Sequence, residues 1–130
     1  MRRIFLVKSS TAITSPKISL RNIAGSSGRM DVICRSILNA FFIDVNEFRR
    51  NVTFYGVLEG PPDPPKTLCI DGFMVEGMIL DEVWILEVIM DLMRGKIVKG
   101  FNIIKRGFQD VVRSLINDGF KLLYMHEDGV

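Results

Sequence analysis

Apolar residues recur along the chain at the spacing of β-strands in some segments and of α-helices in others, and these two kinds of segment alternate. A short apolar run at residues 4–7 predicts a buried first strand. Residues 52–58, rich in β-branched and aromatic side chains, predict a second strand. Residues 67–70 alternate polar and apolar side chains, which predicts a hairpin partner for that strand with Leu68 and Ile70 facing inward.

Helical spacing of apolar residues predicts three helices. They cover residues 29–42, a segment from Asp81 to about Arg94, and residues 108–116, where Asn117, Asp118 and Gly119 end the pattern. Residues 101–104 and 121–125 read as further strands, and residues 11–21 read as a loop. Alternating strands and helices predict an α/β fold, a mixed sheet layered by helices.

Composition and charge limit the class of protein but do not identify a ligand. The 130 residues suit one compact domain. Seventeen Lys and Arg against 15 Asp and Glu leave a net charge of +2, too small by itself to indicate a nucleic-acid partner. Cys34 and Cys69 lack CxxC spacing and companion histidines, which argues against a zinc site. The first apolar run is too short for a signal peptide or a membrane span, so we expect a cytoplasmic protein.

The candidate chemistry lies around Asp31 and the glycine-containing segment before it. Asp31 stands between Arg29 and Arg35, where a carboxylate can accept an N–H while the arginines neutralise phosphates. Spacing alone favours a simpler reading, a helix-start charge paired with Arg35 at i,i+4. Residues 25–28 could likewise present N–H groups to phosphate, although a capped turn is the commoner use of such a sequence.

Other charged residues carry weaker hypotheses. Arg49 and Arg50, between a helix and a strand, can clamp phosphate or stack on a base, or simply be solvated. His126 has no second histidine at ligand spacing, so we expect no metal site. We expect Trp84 to pack in the core. A second basic cluster could likewise contact phosphate or simply be solvated. It comprises Lys96, Lys99, Lys105 and Arg106.

Three stretches together resemble the archaeal tRNA (pseudouridine(54)-N(1))-methyltransferase family, of the SPOUT class. They are residues 25–35 (GSSGRMDVICR), 48–52 (FRRNV) and 58–65 (LEGPPDPP), in that order and at that spacing. The likeness continues through residues 81–82, 107–108 and 123–129, and it covers the first two thirds of the family's length.

The resemblance implies a SPOUT fold, S-adenosylmethionine as methyl donor, tRNA as substrate and a homodimer. It makes Asp31 the residue that recognises the base and acts in catalysis. Gly28, Arg29, Arg35, Arg49 and Arg50 become RNA contacts. Family members bind the donor in a carboxyl-terminal trefoil knot, and we expect this chain to lack most of that knot. Only Met125 then corresponds to a cofactor contact.

The chain departs from the family pattern at a few positions. Val83 and Trp84 follow Asp81 and Glu82 where relatives usually carry Arg and then Asn or Ser, and Asn51 replaces an Asp. Two functions therefore remain open from the sequence. One is a methyltransferase whose base-binding half is this chain, and the other is a noncatalytic or truncated RNA-binding module.

Overall fold

In the part of the chain that the structure describes, six strands and four helices follow one another in the order that the sequence pattern predicts for most of them. The computed structural model describes residues 3–18, 21–44 and 47–119. The elements are β1 (Arg3–Ser9), α1 (Ile23–Ser27), α2 (Met30–Phe41), β2 (Phe42–Asp44), β3 (Glu47–Phe48), β4 (Val52–Leu58), β5 (Lys66–Asp71), α3 (Glu82–Met93), β6 (Phe101–Ile104) and α4 (Phe108–Asn117).

The main sheet is mixed, with strand order β1-β4-β5-β6. Strands β1 and β4 are parallel, with Ser9 beside Leu58 at their carboxyl ends. The predicted hairpin is confirmed, because β5 runs antiparallel to β4 and places Lys66 opposite Leu58. Strand β6 adds antiparallel to β5, so Ile104 lies opposite Thr67. Ser9, Leu58, Lys66 and Ile104 therefore lie at one edge, which we call the carboxyl edge after β1 and β4.

Alternation along the strands buries a different set of side chains on each face of the sheet. On one face Phe54, Leu68 and Ile70 are fully buried and share a core with α2 and α3. On the other face Val57 packs with Val111 and Leu115 of α4. The arrangement is three layers, two helices over the sheet and one beneath it, which confirms the predicted α/β class with a mixed sheet.

The structure adds three short elements to the prediction. Helix α1 lies where a flexible turn was expected, and Asn22 supports it by accepting the Gly25 N–H at 3.2 Å. Strands β2 and β3 pair antiparallel. Their residues are too few to show a period, and Phe48 instead stacks on Phe41 with ring centroids 5.3 Å apart. The predicted strand at residues 121–125 lies outside the described residues.

Trp84 packs against the main core and meets the Phe101 ring edge-on, with centroids 6.4 Å apart, as expected from the sequence. Within the described ranges, no helix has the length and apolar character that crossing a bilayer requires.

Three loops are joined by hydrogen bonds at the carboxyl edge. The Gly60 N–H donates to the Ala12 carbonyl at 2.8 Å, and the Thr11 hydroxyl donates to the Gly28 carbonyl at 2.6 Å. The buried Thr14 hydroxyl donates to the Gly60 carbonyl at 3.2 Å. The chain after β1 is thereby fixed to the loop after β4 and to the turn before α2. We call this set of contacts the loop junction.

The loop junction leaves no room for a side chain at Gly28. A Cβ there would lie 1.9 Å from the Thr11 carbonyl oxygen, whereas a Cβ on Gly77 would meet nothing within 4 Å. Both glycines have positive φ, 64° and 71°. We expect Gly77→Ala to cost about 1 kcal/mol of backbone strain. Gly28→Ala should cost about 1–3 kcal/mol more, because the backbone must move.

Urea unfolding of the two variants checks this prediction, since the positive φ is common to both and only the clash differs. Equal losses of stability would show that the loop junction is not tightly packed.

Candidate nucleic-acid interface

Asp31 occupies the first turn of α2, directly after a strained turn. Gly28 and Arg29 both have left-handed backbone angles, with φ of 64° and 74°. Arg29 is the residue for which this conformation is costly, since a side chain disfavours positive φ. The Ser27 hydroxyl accepts the Met30 N–H at 2.9 Å and so begins the helix. In this turn the Arg29 side chain lies against Asp31.

The Asp31 carboxylate is held by two guanidinium groups. Arg29 donates from Nε to Oδ1 at 3.1 Å and from a terminal nitrogen to Oδ2 at 3.2 Å. Arg35 donates to the same Oδ2. The simpler reading from the sequence, an i,i+4 pair, therefore describes a real contact. An ionised carboxylate offers about four acceptor positions, so about one remains for a ligand N–H.

The carboxylate is buried, whereas the two guanidinium groups that contact it are exposed. The Asp31 side chain is 11% exposed, whereas those of Arg29 and Arg35 are 59% and 52% exposed. Arg35 also reaches Glu82 at 3.3 Å, which links α2 to the start of α3. The pairing of Glu82 with Arg35 was not predicted from the sequence. The result is a buried acceptor beneath two accessible cations, a charge pattern that suits a base flanked by phosphates.

At least two of the four backbone N–H groups of residues 25–28 are engaged within the turn. Asn22 accepts the N–H groups of Gly25 and Ser26, at 3.2 and 3.0 Å. The Ile13 N–H donates to the Ser27 carbonyl at 3.0 Å. The two N–H groups that Asn22 accepts are therefore not available to an anion, whereas the side chains of Arg29 and Arg35 are accessible.

The structure does not bring Arg49 and Arg50 to Asp31. The Arg49 N–H donates to the carbonyl of Phe41, the last residue of α2, at 2.6 Å. From Asp31 to Phe41 the helix rises about 15 Å. Arg50 donates to the Val75 carbonyl at 3.2 Å and lies over the Phe48 ring, 5.8 Å from its centroid. The arginine pair therefore lies at the opposite end of α2.

Arg49 carries a buried donor without an acceptor. Its Nε is shielded from solvent and makes no hydrogen bond to any part of the chain that the structure describes. Leaving a buried donor unpaired costs about 1–3 kcal/mol, more for a charged group.

The second basic cluster of the sequence is divided by β6. Lys96 pairs with Asp91 at 3.5 Å and Lys99 with Glu76 at 2.7 Å, before the strand. After the strand, Lys105 pairs with Asp63, and this hydrogen bond lowers the pKa of the Asp63 carboxyl. The three lysines are therefore neutralised locally, and only Arg106 of the four forms no ion pair among the described residues.

Neither thiol is placed for chemistry at neutral pH. Burial raises the pKa of Cys34 to about 12 and that of Cys69 to about 11. Cys69 lines a shallow groove of about 280 Å³ on the α4 face of the sheet, with Tyr55 and Asn102. Met125 and His126 lie outside the described residues. Within those residues, no three His, Cys, Asp or Glu side chains gather as metal ligands would.

A three-layer α/β domain with a carboxylate and two arginines at the carboxyl edge fits an RNA-modifying enzyme class. The chain matches the family model described as "Putative SAM-dependent RNA methyltransferase" over residues 1–130. The chain belongs to this RNA methyltransferase family.

Similar curated proteins carry one name, tRNA (pseudouridine(54)-N(1))-methyltransferase. That of Pyrococcus abyssi is 38% identical over 98% of this chain and 68% of its own length. That of Methanococcus aeolicus is 34% identical over 96% of this chain and 64% of its own length. That of Methanocella arvoryzae is 37% identical over 99% and 68%. The chain spans about two thirds of the length of these relatives.

Asp31→Ala should destabilise the fold, because it leaves Arg29 and Arg35 facing each other without their shared carboxylate. We expect a loss of about 1–2 kcal/mol, moderated because both arginines are half exposed. Urea unfolding measures it, and Lys99→Ala is the control, since its ion pair with Glu76 is fully exposed. A loss no larger than that of the control would show that the ion pairs at Asp31 do not support the turn.

Proposed function

We propose that this chain supplies the base-binding part of an S-adenosylmethionine-dependent methyltransferase that acts on N1 of pseudouridine in the T-loop of tRNA. The observation that carries the proposal is the buried Asp31 carboxylate beneath Arg29 and Arg35, in a chain that matches this family along its whole length. The names of the relatives supply the substrate.

Pseudouridine presents a group that this arrangement suits. Its base is joined to ribose through carbon, so N1 carries a hydrogen that uridine does not offer. We propose that the remaining acceptor position of Asp31 takes this N1–H and orients the base. The carboxylate is already committed to Arg29 and Arg35, so we propose that Asp31 orients the N–H and that the proton lost by N1 on methylation leaves to solvent.

The arginines around Asp31 have a different role in the proposal. Arg29 and Arg35 are accessible and planar, and they can each donate two hydrogen bonds to a phosphate beside the target base. Gly28 contributes by allowing the close approach of Thr11 that shapes the turn. Arg49 and Arg50 contact RNA farther from the target base, at the other end of α2.

S-adenosylmethionine supplies the methyl group in this family. The described residues hold no side chain that we assign to it, because Met125, the contact implied by resemblance, lies outside them. The roles proposed for this chain therefore concern base and phosphate binding. A SPOUT-class homodimer working in the cytoplasm is part of the same proposal and is supported by the resemblance alone.

Methyl transfer to a T-arm hairpin RNA tests the proposal. The chain, joined after residue 130 to the carboxyl-terminal third of the Pyrococcus abyssi relative, is incubated with S-adenosylmethionine and a hairpin with pseudouridine or uridine at the target position, and the RNA is analysed by mass spectrometry. We expect one added methyl group on the pseudouridine hairpin alone. Asp31→Asn, which keeps the shape of the side chain, should slow transfer about tenfold or more.

Arg94→Ala serves as the control and should react like the unsubstituted chain, because Arg94 pairs with Asp91 at the far end of α3. Hairpin binding without any transfer would contradict the enzymatic proposal and favour the noncatalytic RNA-binding module.

A further inference from the structure

A polar depression on the outer side of α4 has no role in the function proposed so far. Its volume is about 330 Å³, and its lining consists of Arg106, Asp110, Arg113, Ser114 and Asn117. Asp110, Arg113 and Asn117 fall on one stripe of the helix at i,i+3 and i,i+4 spacing. Arg106 precedes the helix and closes the depression at its start.

The arginines of this depression differ from the other cations near the carboxyl edge. Lys8 pairs with Glu59 at 3.5 Å, and Lys66 and Lys105 both pair with Asp63. Neither Arg106 nor Arg113 has a carboxylate within 4 Å among the residues that the structure describes. Among the described residues these two exposed guanidinium groups therefore have no carboxylate partner, and they can bind an outside anion.

The depression lies at the same edge of the sheet as Asp31. Arg106 follows Ile104, the last residue of β6, and its carbonyl accepts the Thr67 hydroxyl at 2.8 Å. Across the edge, Lys105 holds the 59–65 loop through Asp63, whose N–H donates to Thr14 of the loop junction at 2.7 Å. A continuous surface thus runs from the Asp31 turn over the proline-containing loop to Arg106.

We propose that Arg106 and Arg113 form a second phosphate-binding surface for the RNA whose base is held at Asp31. This inference rests on the proposed function and extends it to the sugar-phosphate backbone of the RNA. A guanidinium group can donate two parallel hydrogen bonds to one phosphate. Arg113 lies five residues beyond Phe108 along α4, a rise of about 7.5 Å, and Arg106 precedes the helix, so the two arginines contact different phosphates of one strand.

The uncharged and acidic residues of the depression shape this surface. Ser114 and Asn117 can add neutral hydrogen bonds to phosphate or ribose oxygens. The Asp110 carboxylate repels phosphate and so limits the affinity. Removal of Asp110's charge should therefore act in the opposite direction to removal of the arginines.

The test is the salt dependence of binding between the full chain and a fluorescent T-arm hairpin RNA that carries pseudouridine. Each phosphate contact contributes about 0.7–0.9 to the slope of log K against log salt, so Arg106→Ala/Arg113→Ala should lower the slope by about 1.5. The control is Arg94→Ala/Lys96→Ala, which removes the same charge at the far end of α3 and should leave the slope unchanged. Asp110→Asn should strengthen binding severalfold.

The outcomes separate this inference from the proposed function. An unchanged slope in Arg106→Ala/Arg113→Ala, or an equal fall in the control, would overturn the second surface while leaving base binding at Asp31 intact. Failure of the unsubstituted chain to bind the hairpin would overturn both. Circular dichroism of the variants checks that each retains its fold, as expected for exposed side chains whose backbone contacts are kept.

Discussion

The backbone contact between three loops at the carboxyl edge is the constraint on which the rest of the structure depends. Gly28 and Gly60 both approach the Thr11–Ala12 segment so closely that a Cβ on either would lie within 2.3 Å of the Thr11 carbonyl oxygen. This contact sets where α2 begins. It therefore also sets where Asp31 lies relative to the ends of β1 and β4, the end of a sheet at which α/β proteins commonly place ligands.

A buried carboxylate beneath two exposed arginines has two uses at once. In the free protein Asp31 pairs with both Arg29 and Arg35 and stabilises a turn whose Arg29 adopts a costly left-handed conformation. In a complex, phosphates can share the arginines, because guanidinium groups have more donors than one carboxylate can accept. The structural role of Asp31 and its proposed role in base recognition are therefore compatible.

The main elements could be predicted from the sequence because their apolar residues show a clear period. Residues 52–58 and 67–70 formed the expected hairpin, and Leu68 and Ile70 are buried as predicted. Helix α1 and the pair of β2 and β3 could not be predicted, since their few residues are held by Asn22 and by the stacking of Phe48 on Phe41. Local periodicity does not contain these tertiary contacts.

The candidate site was only partly predictable for the same reason. The pairing of Asp31 with Arg35 follows from helical spacing, whereas the return of Arg29 to the same carboxylate depends on a left-handed turn that spacing does not reveal. The sequence also grouped Arg106 with three lysines. Only the fold shows that the lysines have carboxylate partners and that Arg106 instead shares a depression with Arg113.

Base recognition depends on one proposed interaction, a hydrogen bond from N1–H of pseudouridine to the Asp31 carboxylate. Its most direct test is equilibrium binding of the full chain to two hairpins that differ only in pseudouridine or uridine at the target position, measured with and without Asp31→Asn. We expect tighter binding of the pseudouridine hairpin by about tenfold, the worth of one hydrogen bond to a charged group, and loss of that preference in the variant. Equal binding of both hairpins, or a preference that survives Asp31→Asn, would contradict it.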